Sequence, residues 1–476
     1  MKLNLKTKLA YGFGGVGDAT LYTLIGTFLL FFLTTVIGIE PATAGTIAAL
    51  GALWESLCGP IVGQVSDHTS SRFGRRKPFI LAAAVPLAVI TSLLFTSLDI
   101  PYTLKVFYYG VMLLLFWTAF AVFFIPYLSW GAELTQDYDE RTVLRSYTYV
   151  FNVFGMSIGM VAPTIIVDYL LNMGKTVEQG WQAVGMIAGL CALISLVMAG
   201  LIVKDKDDLT YKASAKENKK KNRQPIINTV SNIIYDYKEI LKLRSIRYII
   251  GGSIAFLIGY SLFCADRMYF FTFNMGLSAG TITFMMLFIT FCGVMFVPII
   301  LWANKKHDKK TIFIVGMLIS AVSLLAFQVI GITSVFSVCM ISIAFSAGNT
   351  CYWQLVPAMI YDVCEVDELA YNKKRAGAVI SLQALSESAS QAIGLQLLGI
   401  VLQFAGFKAE TAVQTDTALE WVGHSLSTIP ALFMFLAAVM VFIYPVTRKR
   451  FNEVVAALDA RKEGNEVDLE KFKKLI

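Results

Sequence analysis

Twelve apolar runs, most of them about 20 residues or longer, divide the chain from end to end, and that length is what a helix needs to cross a bilayer core. They fall at roughly 10–38, 42–66, 78–97, 104–130, 144–171, 181–203, 248–275, 280–304, 311–332, 335–361, 376–404 and 425–447. A bilayer admits only segments that satisfy their own backbone groups, so each run is read as a helix. Charged residues make up 15% of the chain, against about 25% in an ordinary soluble domain. The reading is therefore an all-α membrane protein. The first run contains Asp18 and continues well past signal length, so it is a span and not a cleaved leader.

The connections alternate in charge. Of the 40 lysines and arginines, all but four lie at the N-terminus or in and beside the connections after spans 2, 4, 6, 8, 10 and 12. The exceptions are Lys105, Lys175 and Lys408 on the other side, and Arg267 within a span. The positive-inside rule then puts both termini in the cytoplasm, with the chain in the cytoplasmic (inner) membrane as a multi-pass protein. The net charge of +7 reports these loops and implies no nucleic acid. Seven cysteines without a CxxC pair and only three histidines leave no basis for a disulfide framework, a metal site or a cofactor. Loop hydroxyls and acids such as Ser66 and Asp67 form no nucleophile–base constellation, so no enzyme is expected. The expected partners are a small-molecule solute and the lipid bilayer, with no obligate protein partner.

One long polar connection, 204–247, separates two sets of six spans. Its second half places Ile226, Ile227, Val230, Ile233, Ile234, Tyr237, Ile240 and Leu241 along one helical face. That pattern predicts an amphipathic helix lying on the inner membrane surface, and the tail reads the same way through Phe451, Val454, Val455 and Leu458. The connection after span 4 (IPYLSWGAELTQDYDERT, 125–142) is echoed after span 10 (VPAMIYDVCEVDELAYNKKR, 356–375). The chain thus divides into a six-helix bundle at 1–203, a cytoplasmic linker at 204–247, a second six-helix bundle at 248–447 and a tail at 448–476. Two parallel repeats of this kind are the layout of an alternating-access carrier.

Charges inside spans are costly and mark cavities or pathways. They occur at Asp18, Glu55, the Asp266–Arg267 pair and Glu387. Gln383, Glu387 and Gln391 recur every four residues and share one face, as a cavity lining does; helix–helix hydrogen bonding would give the same pattern. Tyr22, Tyr127, Tyr149 and Trp353 are aromatic platforms on which a sugar ring could stack. GFGGVG (12–17) matches a dinucleotide fingerprint in letters only. No strand precedes it, and small residues opening a long apolar helix predict close helix packing.

Several stretches together resemble the glycoside–pentoside–hexuronide:cation symporter family, the melibiose permease group of the major facilitator superfamily. They are KLAYGFGGVGDA (8–19), FLTTVIGI (32–39), WESLCGPIVGQVSDHTSSRFGRRKP (54–78), IPYLSWGAELTQDYDERTVLRSY (125–147), YDVCEVDE (361–368) and KRAG (374–377). The resemblance implies a twelve-helix carrier moving a small solute, often a sugar, with H⁺, Na⁺ or Li⁺. It also implies cation coupling through acids a turn apart on span 2. Glu55 matches the first of these, but the second is Gly59, and the contribution from span 4 falls at Ala121. A lone glutamate suits a proton better than Na⁺, because desolvation favours the neutral form of a carboxylic acid.

In the family's sugar site the span 4 acid is replaced by Phe124, the tryptophan after it by Leu128, the span 5 arginine by Tyr149 and the span 11 lysine by Ser388. Trp353 is retained, and Asp18 is a near match to the span 1 acid. The expected solute contacts are Asp18, Tyr149, Arg267, Trp353, Gln383 and Glu387. A second reading keeps the scaffold and gives it a non-sugar or amphipathic solute, without coupling. The family's cytoplasmic gate implies that Arg141 meets Asp362 or Glu365, and that Arg375 meets an acid of the first half.

Overall fold

The computed structural model describes residues 3–69, 74, 76–134, 138–203, 235–332, 334–373, 375–408, 411, 414–463 and 468–475; the side chains of 64, 67, 68, 132, 133, 138–142, 145, 146 and 462 lie outside that description. Among the described residues the regular structure is helical throughout, with twelve spans long and apolar enough to cross a membrane. In the first half these are α1 (Leu5–Phe31), α2 (Pro41–His68), α3 (Lys77–Leu94), α4 (Tyr102–Glu133), α5 (Tyr138–Asn172) and α6 (Val177–Ile202). The second half holds α7 (Arg244–Tyr269), α8 (Ala279–Lys306), α9 (Lys309–Ile330), α10 (Val335–Tyr371) and α11 (Ala376–Phe404). Its last span breaks at Ser427 into α12 (Asp416–Leu426) and α13 (Thr428–Ile443). The tail forms α14 (Arg448–Lys462).

Local chemistry sets the ends. Asn4 caps α1, Pro41 opens α2 where no amide donor is needed, and Thr176 with Gln179 closes a capping box on α6. The first spans of the two halves end alike. Each passes into a π-helical turn, Phe32–Val36 after α1 and Phe270–Asn274 after α7. Each then turns at a glycine with positive φ, Gly38 (78°) and Gly276 (57°). The closing bonds match as well, from Ile39 N to Leu33 O (2.9 Å) and from Leu277 N to Phe271 O (3.0 Å). The helix-interior prolines Pro60 of α2 and Pro298 of α8 keep the same 238-residue offset as the two turns and the two glycines. This is the two-repeat architecture expected from the sequence, now visible in backbone geometry.

Compactness draws two units. The first comprises Met1–Asn222, Arg267–Leu287 and Leu395–Leu419, so the ends of α7, α8 and α11 farthest from the tail belong with the first six spans. The second comprises Arg223–Asp266, Phe288–Gly394 and Glu420–Ile476.

Within the first unit GFGGVG is packing surface, as its composition predicts. A side chain at Gly12 would strike Phe151 of α5, one at Gly14 would strike Tyr127 of α4, and one at Gly17 would strike Ser195 of α6. Tyr127 is 1% exposed. Its ring stacks on Tyr11 at 4.6 Å, its hydroxyl donates to Tyr11 O (2.6 Å), and Tyr11 donates back to Tyr127 O (3.0 Å). It is therefore a lock between α1 and α4, not the open platform expected of it.

The surface-helix expectation also changes. Residues 226–234 lie outside the described residues, but the described part, a helical turn at 235–240, docks on protein: Ile240 is buried and Tyr237 pairs with Ser381 of α11 (2.9 Å). In α14, Val454 and Leu458 are buried, and Arg461 donates to Leu369 O of α10 (3.0 Å). For the described residues of these two segments, contacts with α10 and α11 replace part of the lipid cover expected.

Candidate functional site

Three candidate residues of the first unit come from α1, α2 and α5. Asp18 is buried on α1, and the Glu55 carboxylate on α2 is near enough to feel its charge. Glu55 itself is half-buried and accepts no hydrogen bond from any described residue. The neighbouring Trp54 indole donates to Thr118 of α4 (2.9 Å). At Gly59, where the resemblance implies a second acid, a side chain would meet the methyl end of Ile125 at 3.7 Å. Ala121 on α4 is buried and has no hydroxyl. The positions where the resemblance implies further cation ligands, Gly59 and Ala121, therefore supply no side-chain oxygen. Tyr149, on α5, is 61% exposed.

In the second unit a polar network joins α7, α10 and α11. The Gln383 amide nitrogen lies 2.6 Å from Ser253 Oγ, 3.2 Å from the Tyr352 hydroxyl and 3.1 Å from Glu387 Oε1. Ser253 and Tyr352 hydroxyls are 2.5 Å apart, and Tyr352 reaches Glu387 Oε1 at 3.5 Å. Gln383 and Tyr352 thus both donate to one oxygen of Glu387. Half-buried Glu387 keeps its other oxygen for an incoming donor. Trp353 stands beside the network, its indole N–H on Asn349 (3.1 Å) and its face open. Gln383, expected to contact solute, is buried to the same degree as Asp18 and donates to Glu387 Oε1. Ser253 and Tyr352 escaped the sequence reading because serine and tyrosine are common throughout these spans.

Arg267, expected to contact solute, belongs to the first unit and is buried, 2% exposed. Its neighbour Asp266 belongs to the second unit, fully enclosed and facing Ser425, whose hydroxyl donates to the Trp421 and Val422 carbonyls.

The gate residues take partners of their own. The Arg141 side chain lies outside the described residues. Asp362 is bound by Lys309 of α9 (2.7 Å), and Glu365 has no ion-pair partner among the described residues. Arg375 was expected to meet an acid of the first half. It is instead held in a two-pronged pair by Asp367 (2.9 and 3.0 Å) and also binds Asp236 (3.1 Å) and Glu239 (2.5 Å) of the linker. The reason is proximity: α10 ends at Tyr371, and the short connection into α11 returns Arg375 beside its own helix and the docked linker turn. Lys373 adds a further pair to Glu239 (2.9 Å). The hydrogen bond from Lys373, then that from Arg375, holds the Glu239 carboxyl down at about 2.

Twelve helices in two repeats, with acids set inside them, are the layout of a membrane carrier. The comparisons agree. The family model described as MFS/sugar transport protein matches residues 10–448. Similar proteins include the symporter YjmB of Bacillus subtilis (27% identical; 96% of each chain covered) and the glucuronide carrier protein homolog of Escherichia coli (24%; 97% of each). The isoprimeverose transporter of Lactiplantibacillus pentosus is 25% identical over 90% of this chain and 86% of that one. Among solved structures, the inward-open xylose transporter XylE from E. coli matches with a TM-score of 0.60 at 15% identity, over 94% of this chain and 98% of the other, which shows the fold. This chain belongs to the MFS/sugar transport protein family.

Proposed function

We propose that this protein is a proton-coupled carrier of an uncharged, hydroxyl-rich solute, a sugar or glycoside, in the cytoplasmic membrane with both termini inside. The observation that carries the proposal is the setting of Glu55. It is an intramembrane acid with a second acid, Asp18, for a neighbour, and with Gly59, Ala121 and Ile125 where sodium would need oxygens. Na⁺ is held by several oxygen ligands, whereas a proton needs only the carboxylate. Each solute cycle then carries a proton on and off Glu55, with Asp18 beside it making the doubly ionised state unfavourable.

The solute class follows from charge. The relatives include carriers named for a glucuronide and for isoprimeverose, one anionic and one neutral. The candidate contacts here are Asp18 and Tyr149 in one unit and Trp353 and Glu387 in the other. They offer acceptors and aromatic faces, and the one intramembrane cation, Arg267, is buried. Carboxylates accept hydroxyl donors and repel carboxylate solutes. A second reading, an amphipathic solute, draws on the apolar residues Phe124 and Leu128 at positions the family fills with polar and aromatic contacts. The test is uptake of a labelled neutral glycoside under competition. Neutral sugars should compete, and glucuronides should not. Competition by lysophospholipids alone would favour the second reading.

A further inference from the structure

A cavity of about 170 Å³ lies where the α8–α9 and α13–α14 connections meet α10, away from the candidate solute residues. By the same measure one water needs roughly 15 Å³, so there is room for a phosphate group. Its walls include Lys309, Lys310, Asp362, Tyr444, Arg448 and Phe451. The segments that build it, 305–310 and 448–450, carry seven lysines and arginines and one acid, Asp308.

The charge accounts differ residue by residue. Lys309 is neutralised by Asp362. Lys310 is not: its ammonium donates to the Tyr444 carbonyl (2.8 Å). The Arg448 guanidinium donates to the carbonyls of Asn304 (2.5 Å), His307 (3.3 Å) and Lys305 (3.5 Å). Carbonyls satisfy donors without cancelling charge, so among the described residues neither cation has a carboxylate within ion-pair distance of its side chain; Asp308, which also lines the cavity, accepts from the Arg448 backbone N–H (3.4 Å) and leaves three cations against two acids around it. Lys310 and Arg448 stand in the first turn of a helix, α9 and α14, where the helix dipole is already positive. Cations there are unfavourable, and an anion is favoured.

The surroundings are those of a membrane interface. Exposed Trp302 takes the Lys306 ammonium at 4.4 Å, and exposed Phe442 takes that of Lys310 at 5.6 Å. Aromatic rings paired with lysines at helix ends mark headgroup depth.

We propose that this cavity binds the phosphate of an anionic phospholipid, which Lys310 and Arg448 read while the aromatic rings flank its acyl chains. A choline headgroup would bring its own cation against the basic wall and is disfavoured.

The test uses the purified full chain in uncharged detergent. Native mass spectrometry would measure retention of phosphatidylglycerol and phosphatidylcholine, and inorganic phosphate would be added as a competitor. Phosphatidylglycerol should be retained selectively. Lys310→Gln with Arg448→Gln should weaken it roughly 25-fold, about fivefold per base, while Lys310→Arg with Arg448→Lys should retain it. If the double variant fails to fold, Arg448→Gln alone, on an exposed residue, carries the fivefold loss. Equal retention of both lipids, or undiminished retention by the neutral variants, would overturn the proposal. So would full displacement by millimolar inorganic phosphate, which would make the site one for a soluble anion.

Discussion

Glu55 and Glu387 stood out in the sequence because an acid in an apolar run has no cheap explanation, and the folded chain gives them different surroundings. Glu55 has a carboxylate neighbour and no hydrogen-bond donor among the described residues; Glu387 has two donors on one oxygen. The first suits a group that takes up and releases a proton, the second a fixed acceptor. Tyr352→Phe removes a donor worth about 1 kcal/mol and should raise KM roughly fivefold with little change in maximal rate, measured as initial uptake against solute concentration. Gln383→Leu should raise KM further, because it also strands Ser253. The donors themselves were not legible beforehand. Nothing local distinguishes Tyr352 from the chain's 19 other tyrosines, and the network exists only once α7, α10 and α11 meet.

At the scale of elements, all twelve spans were legible, because twenty apolar positions in a row admit only one structure in lipid; their ends were less so, since α10 runs on to Tyr371 where 361 was expected and the last span begins at Asp416 where 425 was expected. The matched π-helical ends of α1 and α7 were not, since a π turn carries no composition of its own. They meet within the first unit: Thr34 and Tyr269 hydroxyls are 2.6 Å apart, and Phe31 packs on Tyr269 at 5.3 Å. Nearby, Gly45 of α2 and Gly399 of α11 cross so closely that a Cβ on Gly399 would strike the Pro41 carbonyl. Gly399→Leu should therefore part these helix ends, at about 1–3 kcal/mol of overpacking, lowering both uptake and melting temperature. A cysteine pair, Thr34→Cys with Tyr269→Cys, should be bridged by a bifunctional methanethiosulfonate, which spans the space the tyrosine ring vacates; the bridge should stop uptake, and dithiothreitol should restore it. Undiminished uptake by the cross-linked protein would show that this contact need not open during transport.

The whole molecule keeps the two-repeat plan, and the described end of the linker, from 235, and the tail are built into it more closely than their sequences implied. Hydrophobic periodicity shows that a face will be covered, not whether lipid or protein covers it; here α10 and α11 supply part of that cover. The same docking brings Asp236 and Glu239 to Arg375, and only the coordinates could show that partnership. With its folded value near 2, below the ordinary 4.5, the Glu239 contribution to stability is complete above about 4.5 and is lost as pH falls toward 2. It is constant between pH 5 and 8. Glu239→Gln should thus leave the shape of the uptake–pH profile in that window unchanged while loosening the linker, seen as faster proteolysis around 204–240.

Any pH dependence between 5 and 8 then belongs elsewhere, and the central claim gives it to Glu55. The direct test is solute uptake into proteoliposomes with an imposed proton gradient and no sodium gradient. Accumulation above equilibrium, driven by protons and not by sodium, is the predicted result. In Glu55→Gln that accumulation should be lost while exchange of internal for external solute continues. Accumulation driven equally well by sodium, or unimpaired in the variant, would contradict it.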